Sequence, residues 1–520
     1  MQELVELGYR VCGSDEERRA AEYIATAFKK AGLSDIRYEP FQTRFYEPRS
    51  ASLTITAGGE QYEIPCSPIW YTRGGEVSAG AIPIGLGAPR DFRDVDLQGK
   101  VVVVESKILL NYYPTHSLLG TYHQAREKGA GAYVAWIDAP YEIVPRYNHL
   151  KEDEPPGEIP GVLLCRGDGM FLNDLLHTYP GEVSATVRLD ASERMTETGD
   201  VVGYLPGSDD VIVVGSHYDS VYAGAVDNAG SNAGLIALAA HAATLEGERP
   251  TIVFCAHPGH EVNIGAREWV KNHRDLIERA FFYFSIDGFG STGFAWGSDG
   301  VIPTGSDEKR GISVSDNPLI LRIAIEAVKE FGLLPAAYVP ASDIIFNKDL
   351  EGRFYELAVP FLMIIGKPIW YHSLADTVDK VTPDQLHRSF LAHARILEKI
   401  IEAGSEAIKK SDRGARNEVI SSFIPKKSSA SGVGEKRSAS FGFIPEPALA
   451  GEPVLFFIND FSNPDDVVLD IEWHFGDGSS ANGPVVPHVY EKQGRYTVSI
   501  SAVDTAGRRS TFERVLWVHT

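Results

Sequence analysis

Four short apolar runs constrain the fold of this chain more than any other feature: residues 211–214 (VIVV), 251–256 (TIVFCA), 281–286 (FFYFSI) and 359–365 (VPFLMII). Each is short and apolar throughout, which suits a strand buried on both faces of a parallel sheet. Helical patterns follow, at 231–245, from about 265 to 273, and at 317–332. A long amphipathic helix then opens at Thr382-Pro383-Asp384-Gln385, with proline at the first helical position and a capping-box glutamine. Strands alternating with helices imply a doubly wound, mainly parallel α/β core. In such sheets, sites form beyond the carboxyl ends of the strands.

Those ends carry the chemistry. His217, Asp219 and Asp227 follow the first run, and His257-Pro-Gly-His260-Glu261 follows the second. Asp287 ends the third, and Trp370-Tyr371-His372 lies after the fourth. An isolated His-x-Asp after a core strand usually reads as a polar loop, and the recurrence over four strands changes that reading. Two histidines (His217, His372) and three carboxylates (Asp227, Glu261, Asp287) suit two Zn²⁺ ions sharing one carboxylate. Two dications against three carboxylates and one hydroxide leave the pocket neutral, which a dry pocket requires.

The rest of the chain divides by texture. At 520 residues it is too long for one ordinary core, and two to four domains are expected. Ser14-Asp15-Glu16-Glu17 reads as a capping box opening an amphipathic helix that Gly32 stops. From Phe41 to Ala191, short β-like runs alternate with Gly/Pro turns around one helix pattern at 117–128, a β-rich insertion. Residues 411–440 are rich in Ser, Lys, Arg and Gly and read as a flexible linker. Beyond them, Leu469, Ile471, Trp473 and Phe475 alternate with polar residues, as do Tyr496, Val498 and Ile500, so residues 441–520 read as all-β. The expected organisation is a core of residues 1–40 and 200–410, an insertion at 41–199, a linker at 411–440 and a β-sandwich at 441–520.

Charge and composition narrow the partners. The net charge of −22 argues against nucleic acid or an anionic membrane as a partner. No apolar run approaches the ~20 residues that span a bilayer. The opening MQELVELGYR lacks a basic segment followed by an apolar one, so no signal peptide is expected in this chain. Cys12, Cys66, Cys165 and Cys255 are scattered and form neither a disulfide framework nor a thiolate zinc site.

Ordered motifs across residues 7–407 resemble the co-catalytic di-zinc exopeptidases of the aminopeptidase type. They are Gly13-Ser14, His217-Tyr-Asp219-Ser220, Asp227-Asn-Ala, Glu261 with Gly265-Ala266, Ser285-Ile-Asp287, Ser342-Asp343 and Tyr371-His372-Ser. The resemblance implies one zinc on His217, Asp227 and Asp287, and a second on Asp227, Glu261 and His372, with Asp227 as the bridge. It also implies that Asp219 orients His217 and that Tyr371 helps hold an oxyanion. The implied activity is zinc-dependent hydrolysis of peptides or related amides, in which a metal-bound hydroxide attacks a zinc-polarised carbonyl. A secreted or cell-surface location is implied as well, and the missing leader pattern leaves a cytoplasmic one open.

The chain departs from this family at one position: His260 stands where the family has the glutamate that takes the water proton. Three roles are open to it. It is the general base, or it ligates a metal and leaves Glu261 free to act, or the site binds metal without turnover. The last corresponds to a catalytically impaired binding protein on a peptidase scaffold.

The flanking parts carry resemblances of their own. Asp96-Leu-Gln-Gly-Lys-Val-Val-Val-Val104, Ala125…Gly129-Ala130 and Ile159-Pro-Gly-Val…Arg166-Gly-Asp-Gly169 resemble the protease-associated domain, a lid or docking module without catalytic groups. Trp473-His-Phe-Gly-Asp-Gly478, His488-Val-Tyr490 and Gly494-Arg-Tyr-Thr-Val498 resemble the polycystic-kidney-disease-type immunoglobulin-like domain. That resemblance implies a spacer, or a module with a protein or polysaccharide ligand.

Overall fold

The computed structural model describes residues 1–88, 90–107, 115–138, 157–260, 264–297, 300–340, 350–366, 370–411, 440–444, 446–460 and 466–520. The expected linker falls almost wholly outside them, as do Glu261, Ser342 and Asp343.

The core is one mixed sheet. Four parallel strands occupy its middle, in the order Pro250–His257, Ser208–His217, Ala280–Ser285 and Phe361–Gly366. Arg310–Val314 pairs antiparallel with Phe361–Gly366, and Ala336–Pro340 adds to it in parallel. On the other side Ser184–Leu205 runs antiparallel to Pro250–His257. The run 211–214 shows why the strands are apolar throughout. Ile212 and Val214 pack on one face with Ile24, Phe28, Leu235, Leu238, Ile320 and Leu397. Val211 and Val213 pack on the other with Trp269, Leu276, Ile277 and Phe354. Alternate side chains leave a strand on opposite faces, so helices on both sides require apolar residues at every position.

The helix Asp15–Lys30 is capped by Ser14 as its sequence implies, but Glu17 reaches back one residue beyond the cap, whose own N–H donates to Val11 O. Ser14 Oγ accepts the Glu17 N–H at 3.1 Å, and Glu17 Oε2 accepts the Gly13 N–H at 2.7 Å. The insertion is carried on a long antiparallel ribbon, Ser34–Ala57 with Ser184–Leu205, paired from Ser34↔Tyr204 to Thr56↔Ser184 with register shifts between Ser34 and Arg37 and between Pro48 and Ser50. The expected junctions at 40/41 and 199/200 lie inside this ribbon. Beyond it Gly75–Pro83, Val101–Lys107, Ala132–Asp138 and Gly161–Leu164 form a parallel sheet. The insertion has more helix than its sequence suggests, because Arg166–Thr178 is helical. Gly167 and Gly169 hide that helix. Gly169 is required there, since an added Cβ would lie 2.2 Å from Trp136 Cγ.

The C-terminal strands form two antiparallel layers. One holds Ser440–Ile444, Pro453–Asp460 and Val485–Val489, and the other Ser480–Asn482, Val467–His474, Gly494–Asp504 and Arg509–His519. Trp473, Phe456, Phe475 and Tyr490 fill the space between them. The second layer continues the core sheet, with Ala336↔Val467 and Ala337↔Val468 paired in parallel. Val467 and Leu469 bury with the core helices, while Ala337 buries among the sandwich residues. Arg90 of the insertion donates to Pro447 O at 2.8 Å, and Arg93 pairs with Glu452 at 3.0 Å. Among the described residues no helix is long and apolar enough to cross a membrane.

Candidate metal centre

Parallel strands end on one edge of the sheet, and that places the predicted residues. His217 is the last residue of Ser208–His217. Asp227 lies in the irregular turn Ala225–Gly230 that leads into the helix Ser231–Thr244. Asp287 follows Ala280–Ser285 by two residues. His372 lies in a turn after Phe361–Gly366 and adopts a left-handed φ of 54°, a conformation uncommon for a non-glycine residue. All four are buried. His217 Nε2 lies 3.2 Å from Asp227 Oδ1 and 3.7 Å from Asp287 Oδ1. His372 Nε2 lies 3.0 Å from Asp227 Oδ2. The two oxygens of Asp227 therefore face two different histidines.

These residues fit zinc. The donors are imidazole nitrogens and carboxylate oxygens, and among the described residues the buried His217 Nε2 and Asp227 Oδ2 have no partner in hydrogen-bond geometry. The charges are strongly coupled. Burial opposes protonation of His217, but Asp219, Asp227 and Asp287 outweigh it and hold its pKa well above the usual value. Burial opposes ionisation of Asp227, yet His217 and His372 hold that carboxyl well below its usual range.

A second layer of contacts fixes the donors. His217 Nδ1 lies 3.3 Å from Asp219 Oδ1, the orienting contact the sequence implies, and 3.2 Å from the Asp219 carbonyl. The same Oδ1 accepts the His260 backbone N–H at 3.3 Å. Asn232 Nδ2 donates to His217 O at 2.6 Å and to Asn228 O at 2.7 Å. Asp376 accepts the N–H groups of Val226 and Asp227, and burial pushes its carboxyl up to about 7. Arg10, also buried, donates to the carbonyls of Leu4 (3.0 Å), Tyr218 (3.0 Å), Ala223 (2.9 Å) and Gly224 (3.1 Å). Its burial lowers the guanidinium pKa to about 10. The sequence reading missed Arg10 and Asn232. For Asn232 a local signal exists, since it stands one helical turn after Asn228. For Arg10 there is none, because Tyr218 is 208 residues away.

His260 is half-buried, and its ring lies parallel to that of His217, with centroids 4.2 Å apart and planes 14° apart. His257 is buried with neither ring nitrogen hydrogen-bonded among the described residues. The strand register sets it beside His217, and burial, with His217 and His260 nearby, pulls its pKa down to about 3. The Tyr371 ring stacks on that of His372 at 3.6 Å. Tyr371 also packs into the insertion's core with Trp70, Tyr71 and Ile264, while Trp370 packs separately with Ala225, Val226 and Val381. The insertion thus reaches the residue next to His372.

Known proteins are similar to parts of this chain. Residues 200–397 match Peptidase family M28, and residues 444–516 match the PKD domain. The Caenorhabditis briggsae protein named glutamate carboxypeptidase 2 homolog is 25% identical over 382 aligned residues, covering 53% of this chain and 49% of that protein. Transferrin receptor protein 1 of Gallus gallus is 23% identical over 340, covering 53% and 43%. This chain spans about half the length of the curated relatives it matches. Among solved structures, an aminopeptidase from Aneurinibacillus sp. shares the fold with a TM-score of 0.55 at 21% identity, covering 80% of this chain and 92% of that one. A Peptidase M28 precursor from Shewanella amazonensis gives 0.61 at 18% identity, covering 75% and 89%. The chain therefore carries a Peptidase family M28 segment at residues 200–397 and a PKD domain at residues 444–516.

Proposed function

We propose that this chain is a zinc-dependent exopeptidase of the aminopeptidase type that holds two zinc ions. The observation that carries the reading is Asp227, whose oxygens face His217 and His372 separately, as a carboxylate shared between two ions would. The family segment and the folds named as aminopeptidases support peptides as the substrate class.

His217, Asp227, Asp287 and His372 would hold the ions, with Glu261 as the fifth donor of the motif. Bound zinc lowers the pKa of water and polarises a carbonyl. Asp219 keeps the His217 ring oriented and its outer nitrogen occupied, leaving Nε2 to face the pocket. Tyr371, held against His372 and the insertion core, would donate its hydroxyl to a developing oxyanion. The insertion, which we assign to the protease-associated type, forms one wall of the site through this contact.

Two measurements test the reading. Metal analysis of the purified chain is expected to give close to two zinc per chain. A mixed peptide library read by mass spectrometry is expected to show terminal cleavage that a chelator abolishes. A metal-retaining binding protein is the second reading, favoured by His260 at the position of the family's base and by the similarity to a receptor. Two bound zinc ions without chelator-sensitive cleavage would select it.

A further inference from the structure

We propose that His260 is itself a metal ligand, completing with His217 and Asp287 one of the two zinc positions; this rests on the two-zinc reading above. One ring nitrogen each of His217 and His260 and one Asp287 oxygen lie within 4.8 Å of one another. Donors around a tetrahedral zinc, bound at ~2.0–2.2 Å, sit about 3.3–3.5 Å apart. The three donors therefore stand within about 1.5 Å of that spacing with no ion bound. The rings are already side by side, 4.2 Å apart and nearly parallel, and a turn of the half-buried His260 ring is what would bring both lone pairs onto one ion.

The backbone under His260 is held for this. Its N–H donates to Asp219 Oδ1, the oxygen that also faces His217 Nδ1, so one carboxylate sets both histidines. The turn before it is tight: Gly259 has φ +68°, its carbonyl accepts the Ile264 N–H at 3.0 Å, and an added Cβ would meet Ile264 Cγ2 at 2.4 Å. A metal-bound imidazole has its lone pair engaged, so His260 in this role does not take the water proton, and another group must.

Zinc binding by the full chain tests the assignment, by competition with a chromophoric chelator, alongside the visible spectrum of the cobalt-substituted protein. The wild type is expected to bind two zinc ions. H260A is expected to keep one ion and to bind the other about 100-fold more weakly, with a changed cobalt spectrum. H260C replaces imidazole with thiolate and is expected to restore the second ion and to add a cobalt–thiolate charge-transfer band. Its metal-free circular dichroism shows whether the loop substitution has disturbed folding. If the wild type binds two ions and H260A binds both with unchanged affinity and spectrum, the assignment fails while the two-zinc reading stands. A wild type that binds no zinc overturns both.

Discussion

Asp376 grips Asp227 through the backbone: one oxygen of Asp376 accepts the Val226 N–H at 2.8 Å, and the other accepts the Asp227 N–H at 3.1 Å. The turn that carries the shared carboxylate is therefore tied to the loop that carries His372, four residues before Asp376. Two strand ends that are separate in the sequence are locked together by this one side chain.

Asp376→Ala leaves two buried N–H groups without acceptors and frees Asp227 to move. Zinc affinity is expected to fall roughly 10–100-fold, the range found when groups behind metal ligands are removed. Chelator competition measures it, with circular dichroism unchanged. An unaltered affinity would show that the turn holds itself.

Arg10→Met removes the donors that three buried carbonyls and one half-buried carbonyl share. Unpaired buried polar groups cost about 1–3 kcal/mol each before relaxation, so a loss of roughly 3–5 kcal/mol in urea unfolding is expected. Arg10→Lys is expected to recover only part of it, because an ammonium lacks the planar fork that reaches several carbonyls at once. Equal stability in all three proteins would contradict the role assigned to Arg10.

Glu308 makes stability fall with pH. Burial pushes its carboxyl up to about 8 from an ordinary 4.5, against the opposing influence of Arg310 and Ser291. The unfolded chain releases this proton near pH 4.5, whereas the folded chain keeps it until about pH 8. The contribution is thus fully present below the lower value and is lost as pH rises toward the upper one. Glu308→Gln is expected to remove this slope, gaining roughly 2–4 kcal/mol relative to wild type between pH 4.5 and pH 8. Urea unfolding of both proteins in chelator, which keeps metal loss out of the comparison, reads it. Parallel pH profiles would refute it.

Leu469 sits in a C-terminal strand, yet it buries among the helices of the peptidase core. Leu469→Ala is expected to cost about 2–5 kcal/mol and to lower the unfolding temperature of the core together with that of the sandwich. Calorimetry distinguishes this from two independent modules, in which only the sandwich transition would move.

The core strands and the residues at their ends were legible in the sequence because both signals are local. Val211–Val214 is apolar at every position since both faces of its sheet are covered, and that pattern is complete within one strand. An equally local signal, apolar residues alternating with polar ones, marked the strands around Trp473 and Val498. The helix Arg166–Thr178 was not legible, because Gly169 answers to Trp136 on another strand and its own neighbours show no reason for it.

What the sequence determined by itself is which residues could bind metal and on which strand each would ride, since side-chain chemistry and backbone periodicity need no partners. Only the tertiary structure decided which atoms face one another: Asp227 between two histidines, Arg10 under a loop about 210 residues away, Tyr371 inside the insertion core, and a C-terminal strand added to the core sheet. Buried polar atoms must find partners wherever the fold brings them, and no short-range pattern records a partner that distant.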